Sequence, residues 1–264
     1  MSVTAPQMAE LMPDARQLLS DEPEMESTLH YQQLALLVSC LEWHWRDRLD
    51  FFIGANLTVY YSHQQLRRRD FRGPDFFLVM DADRQPRNSW VVWEEDGRYP
   101  DLIIELLSDS TASVDRSDKK ALYQNIFRTP EYFWFSPDTL EFAGFRLVDK
   151  GYQPISPDAH GRAWSQVLGL SLGVEQGRLR YFDADGHLLP TPAEAAEWEQ
   201  EQARREQDRA ETERRRADQE QRRANQEQLR ADQEQLRADR EQQRAEYLAR
   251  RLRELGFDPE QDTL

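Results

Sequence analysis

The sequence predicts an α/β domain with a mixed sheet flanked by helices, followed by a long C-terminal helix. Three observations point there. Two apolar runs dense in β-formers, Gly73–Met80 and Pro100–Ser108, each open on a Pro-Asp pair. The second leads through a helical stretch to another β-rich run, Glu131–Phe135, and a strand, a crossover helix and a strand suggest a mixed sheet with helices packed on it. From Pro192 the chain loses its aromatic density and becomes Glu, Gln, Arg, Ala and Asp, with neither Gly nor Pro between 193 and 255.

In chain order, residues 1–26 are polar with scattered prolines and read as a flexible N-terminal arm. A helix is expected from Ser27 to Arg48, where Leu29, Gln33, Leu36, Leu37, Cys40, Leu41, His44 and Trp45 recur at spacings of three and four. Strands follow around 50–54, 57–61, 75–80, 90–93 and 101–107. Ser110, Thr111 and Ser113 then lead into a helix from about Asp115 to Phe127, stopped by Thr129-Pro130. Residues 131–135 and 140–147, joined by the turn Ser136-Pro137-Asp138, make a hairpin-like unit. The domain so defined covers 27–190.

Residues 191–256 read as a long charged helix or coiled coil, and 257–264 as a C-terminal tail. Thr191-Pro192-Ala193-Glu194 has the form of a capping box and Gly256 of a stop, so the helix extends about 95 Å at ~1.5 Å per residue. Alanine recurs every seventh residue from Ala203 to Ala245, yet Leu229 and Leu236 fall five residues after an alanine and complete no a/d stripe. Glu220 with Arg223, Glu227 with Arg230, Glu234 with Arg237 and Glu241 with Arg244 are expected to support the helix as i,i+3 pairs. Weak self-association, or a partner helix along 193–255, is expected; a solitary charged helix is the alternative.

The 264 residues, 39% hydrophobic with seven tryptophans, supply one real core plus this appendage. No run approaches the roughly 20 apolar residues of a membrane span, and no basic start precedes an apolar stretch in the first 25 residues, so a soluble cytoplasmic protein without a membrane partner is expected. Cys40 is the sole cysteine, which excludes an intrachain disulfide and a cysteine zinc cage. The formal charge is −15; residues 192–264, with 15 arginines against 20 acids, hold −5 of it. That balance weighs against general nucleic-acid affinity. Arg67-Arg68-Arg69 with Arg72, just before Asp75, is the one basic cluster of the domain and reads either as a phosphate contact or as a solvated loop.

Glu105, between Ile104 and Leu106 in a strand that should be buried, is the residue most in need of explanation. Phosphodiester hydrolysis asks for a hard divalent cation on oxygen ligands, a positioned water and positive charge nearby. Asp101 and Glu105 share a face of one strand but sit about 13 Å apart at ~3.3 Å per residue, too far to hold one ion together. Asp75, on a strand that could lie alongside at ~4.8 Å, meets Glu105 if the register allows it. In the 115–127 helix Leu122, Tyr123 and Ile126 define an inward face with Lys119 at its middle and Lys120 toward its edge. A lysine aimed inward in a chain of only three lysines suggests a need for a compact ammonium. The competing reading is a structural ion pair in which Lys119 neutralises Glu105.

Pro-Asp, a strand-borne Glu and a lysine form the pattern of the PD-(D/E)XK nuclease superfamily. Pro100-Asp101-Leu102-Ile103-Ile104-Glu105-Leu106-Leu107-Ser108, then Ser110-Thr111, Asp115-Arg116, Lys119, Tyr123 and Glu131-Tyr132-Phe133-Trp134 resemble the Uma-two family of restriction-endonuclease-like proteins over roughly residues 25–190. The parent motif puts lysine two residues after the acid, where this chain has Leu107; the family moves it to the following helix, at Lys119. The resemblance implies a restriction-endonuclease-like fold and a metal-dependent nuclease with Asp75, Glu105 and Lys119 as catalytic residues. Asp75 and Glu105 would bind Mg²⁺ (or Mn²⁺), with nucleic acid, DNA foremost, as substrate. Ser108, Tyr123, Asp101 and Glu26 take supporting places; Glu26 and His30, one turn apart on the first helix, approach the site as first-helix acids do in such nucleases, or else serve as cap and core. The rivals are a non-enzymatic adaptor that keeps the fold and assembles through its tail, and nucleic-acid binding without cleavage.

Overall fold

The structure is a computed structural model, and it describes residues 18–20, 22, 25, 27–62, 73–108 and 115–254. Glu26, the Arg67–Arg69 cluster with Arg72, the lead-in with Ser110, Thr111 and Ser113, Gly256 and the 257–264 tail lie outside the described residues. The chain divides into two units, Met1–Ala195 and Ala196–Leu264.

The first helix, α1 (Thr28–His44), starts where Ser27 Oγ accepts the His30 N–H and buries His30, Gln33, Leu34, Leu36, Leu37, Cys40 and Leu41. Within the expected stripe Leu29 and His44 are exposed instead, while Trp45, at its end, is buried. Gln33 is buried without penalty because its amide donates to Leu179 O and accepts from Leu179 N, both at 3.0 Å.

β1 (Phe51–Ala55), β3 (Phe76–Met80), β5 (Leu102–Leu106), β6 (Glu131–Phe135), β7 (Phe142–Val148) and β8 (Gly151–Pro154) form a six-stranded sheet in the order β1-β3-β5-β6-β7-β8. Only β5 and β6 run parallel, and the helix α2 (residues 115–127) joins them, so the sheet is mixed as expected. β2 (Val59–Tyr60) and β4 (Trp90–Val91) pair separately. β9 (Ala163–Ser165), β10 (Leu170–Glu175) and β11 (Arg178–Phe182) form an antiparallel sheet that sequence reasoning did not identify. Its β10–β11 hairpin turns on Gln176 and Gly177, both at positive φ (51° and 75°), a signature of two-residue hairpins.

Period-two alternation sorts the large sheet's side chains into two cores. Phe76, Leu78, Leu102, Ile104 and Leu106 pack toward α1, while Phe77, Val79, Ile103 and Leu107 pack with Tyr123, Phe127 and Tyr132. By the same alternation Asp75, Asp101 and Glu105 share the second face.

The helix α2 corrects one expectation. It consists of a π-helical Asp115–Lys119, an α-helical Lys120–Leu122 and a π-helical Tyr123–Phe127. Turns of more than four residues align Lys119, Tyr123 and Phe127 at i, i+4 and i+8 in place of the 122/123/126 face drawn for 3.6 residues per turn. Tyr123 and Phe127 are buried, whereas Ile126 is 49% exposed. Lys119 faces inward all the same, and Lys120 lies over the Phe145 ring, 3.3 Å from its centroid.

The long helix α3 (Pro192–Glu254) begins with a reciprocal capping box: Glu194 N donates to Thr191 Oγ at 3.1 Å and Thr191 N to Glu194 Oε2 at 2.7 Å. The i,i+3 pairs expected from Glu220–Arg223 to Glu241–Arg244 are not formed. A ladder of i,i+4 amide bonds takes their place, Gln221 to Asn225, Gln228 to Asp232, Gln235 to Asp239 and Gln242 to Glu246 at 2.9–3.1 Å. Residues four apart sit only about 40° apart around an α-helix against about 60° for three, so the closer overlay wins. Leu229 and Leu236 are exposed along it. Among the described residues no helix is long and apolar enough to cross a membrane.

Candidate functional site

β5 is buried along its whole length, which makes a carboxylate inside it costly unless its oxygens are bonded. Glu105 is 0% exposed. Its Oε2 accepts from Lys119 Nζ at 3.0 Å and its Oε1 from the Tyr123 hydroxyl at 2.6 Å. Lys119 also donates to Gly73 O at 3.4 Å. Charge-assisted bonds of this kind are the strong ones and offset much of the desolvation.

The β3–β5 ladder pairs Phe76 with Ile104 and Leu78 with Leu102, and continuing that register by one position sets Asp75 opposite Glu105. Asp75 Oδ2 accepts the Leu106 N–H at 2.7 Å. At the other end of the ladder Asp101 Oδ2 accepts the Met80 N–H, also at 2.7 Å. Each Pro-Asp pair therefore caps the partner strand. The register brings Asp75 to the end of the ladder that holds Glu105 and its partner Lys119, whereas Asp101 lies at the other end, near Asp81 and Arg98. Burial raises the Asp101 carboxyl above its ordinary range, with the Met80 hydrogen bond opposing and the Asp81 charge adding to it.

Sequence reasoning missed Glu22, Gly73 and Thr58. Glu22 Oε1 accepts from the Gly73 N–H and from Thr58 Oγ (2.9 Å). Burial raises its carboxyl; the two hydrogen bonds and the Lys119 charge pull it back, and the Asp75 charge adds to the rise. A third acid thus lies within electrostatic reach of both Asp75 and Lys119. Gly73 is required there by space alone: a Cβ would sit 2.6 Å from Leu57 O and 2.8 Å from Glu22 Oε1. Leu18, Leu19 and Ser20, inside the expected arm, are also tied down. Ser20 Oγ accepts the Thr58 N–H at 3.1 Å, Tyr60 donates to Leu19 O at 3.0 Å and Ser89 to Leu18 O at 2.8 Å. The segment's several Glu residues carry no pattern that singles out Glu22; Gly73, directly ahead of Pro74-Asp75, could have been suspected.

His30 is buried, with Nδ1 2.7 Å from Ser27 Oγ and Nε2 3.2 Å from Leu107 O, and so serves as cap and core. Ser108 is buried just past β5. Glu26 lies outside the described residues. Oxygen donors alone, Asp75 and Glu105 with Glu22 beside them, suit a hard divalent cation rather than zinc or copper. Asp183, Asp185 and His187 also bring their ligand atoms within 4.8 Å of one another. There, however, Asp183 Oδ1 caps the N–H groups of Asp185 and His187 in an exposed turn.

The family model of Uma2, described as "Putative restriction endonuclease", matches residues 17–183. No curated protein matches. Among solved structures, a "putative nuclease belonging to DUF820 from Anabaena variabilis ATCC 29413" is similar at 14% identity and a TM-score of 0.40, over 56% of this chain and 76% of that one. With its match spanning residues 17–183 of 264, this chain belongs to the Uma2 family.

Proposed function

We propose that this chain is a Mg²⁺-dependent (or Mn²⁺-dependent) endonuclease that hydrolyses phosphodiester bonds of nucleic acid, DNA foremost, in the cytoplasm. The observation that carries the reading is the Glu105–Lys119 pair at 3.0 Å, a buried charge pair in an otherwise apolar strand, opposite Asp75. Asp75 and Glu105 hold the metal, with Glu22 as a nearby third carboxylate. When bound, the cation supplies Lewis-acid charge at the phosphate and favours ionisation of an attacking water. Lys119 orients that water and places its ammonium beside the charge that develops on the phosphate. Gly73 lets the Glu22 carboxylate approach, and the Asp75–Leu106 bond fixes the end of the strand that carries Glu105.

The experiment is incubation of the full chain with single- and double-stranded DNA and RNA, with Mg²⁺ or Mn²⁺ and with a chelator. Metal-dependent cleavage is expected; no cleavage of any substrate would overturn the reading. Two observations favour a second reading, an adaptor that assembles through its tail: the heptad of alanines and the exposed Leu229 and Leu236 on α3. In that reading residues 193–255 form a weak coiled-coil homodimer or accept a partner helix. Sedimentation of the full chain against a chain ending at Pro190, at low and high salt, tests it, and a monomer throughout removes self-association.

A further inference from the structure

We propose that Tyr123 is a positioning residue of this site, one that fixes the Glu105 carboxylate so that Lys119 and a metal can share it. The proposal rests on the nuclease reading above and adds a residue to it. A glutamate side chain has three rotatable bonds, and on a strand end beside a cluster of charges it has several staggered choices. Two donors aimed at its two oxygens remove that freedom. Lys119 takes Oε2 at 3.0 Å and the Tyr123 hydroxyl takes Oε1 at 2.6 Å, which fixes both the position and the plane of the carboxylate.

The helix is built to deliver both donors. Lys119 closes the first π-helical segment and Tyr123 opens the second, so both project onto the same residue of β5. π-Helical turns are rare and concentrate at functional sites, because their poorer backbone packing persists only where something repays it. Tyr123 itself cannot drift. It is 0% exposed, with its ring 5.3 Å from that of Phe127 and 5.6 Å from that of Tyr132. The phenol is thus a rigid second contact, and Lys119, on a flexible stem, is the contact that can exchange with water and phosphate.

Tyr123→Phe keeps the ring and removes only the hydroxyl. Tyr152→Phe is the matched control, since it removes a hydroxyl that donates to Thr129 O at 2.9 Å. Mn²⁺ affinity by calorimetry, single-turnover cleavage, the KM for nucleic acid and the thermal midpoint are measured for the full chain and both variants. Tyr123→Phe is expected to lose about 10–100-fold in metal affinity and in kcat, as loss of an outer partner to a metal ligand does, with KM and midpoint near the parent's. Tyr152→Phe should keep the parental affinity and kcat. Parental metal affinity in Tyr123→Phe, an equal loss in Tyr152→Phe, or a loss that only tracks a lower midpoint would overturn the proposal while the nuclease reading stood. A parent chain that neither binds Mn²⁺ nor cleaves would overturn both.

Discussion

The two ends of the β3–β5 ladder are built alike and surrounded differently. At each end a Pro-Asp pair precedes a strand, and the aspartate accepts a backbone N–H of the other strand at 2.7 Å. Proline suits such a place because its fixed φ favours extended entry and it offers no N–H of its own. At the Asp101 end the neighbours are Asp81 and Arg98. At the Asp75 end they are Glu105, Lys119, Tyr123, Glu22 and Gly73. The same sequence signal therefore performs one structural task twice, and only the Asp75 end also receives charges from the crossover helix, through Lys119, and from Glu22.

Breaking each end separately gives the largest expected contrast. Asp75→Ala and Glu105→Ala should abolish Mg²⁺ or Mn²⁺ binding and cleavage, a loss beyond the 10–100-fold typical of an outer partner. Asp101→Ala should keep both and cost stability, about 1–3 kcal/mol for leaving the Met80 N–H without its acceptor. Calorimetry with metal, beside urea unfolding, separates the two; a lost metal site in Asp101→Ala would mean that the ends act as one.

Next in size is the lysine pair. Lys119→Ala should lower cleavage by about 100–1000-fold with metal binding retained, since its charge acts on the reacting group and not on the ion. Lys120→Ala gives up the stack on Phe145 and should cost only about 0.5–2 kcal/mol of stability. Equal activity losses in the two variants would contradict the inward face of α2.

How much of this was legible depends on how local each signal is. Glu105 and Lys119 stood out because a charge within an apolar run, or a scarce residue type on a helical face, is visible within a few residues. The Asp75–Glu105 meeting needed one assumption, the register, and the ladder is in that register. The capping box of α3 was readable because its two bonds join residues three apart. Glu22 was not, because its partners Thr58 and Gly73 lie 36 and 51 residues away and nothing near it is periodic. The π-helical turns were equally hidden, since the 3.6-residue period used to draw the face is the very quantity they change. β9–β11 escaped because none carries a continuous apolar run like those of β3 and β5, polar or glycine positions interrupting Ala163–Ser165, Leu170–Glu175 and Arg178–Phe182, although the Gln176-Gly177 turn was there to be read.

A smaller change tests the steric basis of the Asp75 end. Gly73→Ala places a methyl 2.6 Å from Leu57 O and 2.8 Å from the Glu22 carboxylate. The backbone oxygen cannot rotate away, so Glu22 and the Gly73 segment must move together. A cost of about 1–3 kcal/mol is expected, with cleavage reduced more than in Asp101→Ala. A Gly73→Ala chain with parental stability and activity would show that Glu22 has room to spare.

The smallest expected effect is the pH dependence of the Asp101 end. Its carboxyl has a folded-state value raised above the ordinary 3.8, chiefly by burial. A raised acid binds its proton more tightly in the folded chain than in the unfolded one, so stability falls as pH rises from the ordinary value through the folded value, and the penalty is complete above it. Asp101→Asn keeps an oxygen that can accept the Met80 N–H and removes the ionisation. The variant should therefore lack that part of the decline and gain on the parent as pH rises through this window. Thermal midpoints across the acid range measure the difference curve. A curve that is flat, or of opposite slope, would mean that the Met80 hydrogen bond outweighs burial at Asp101.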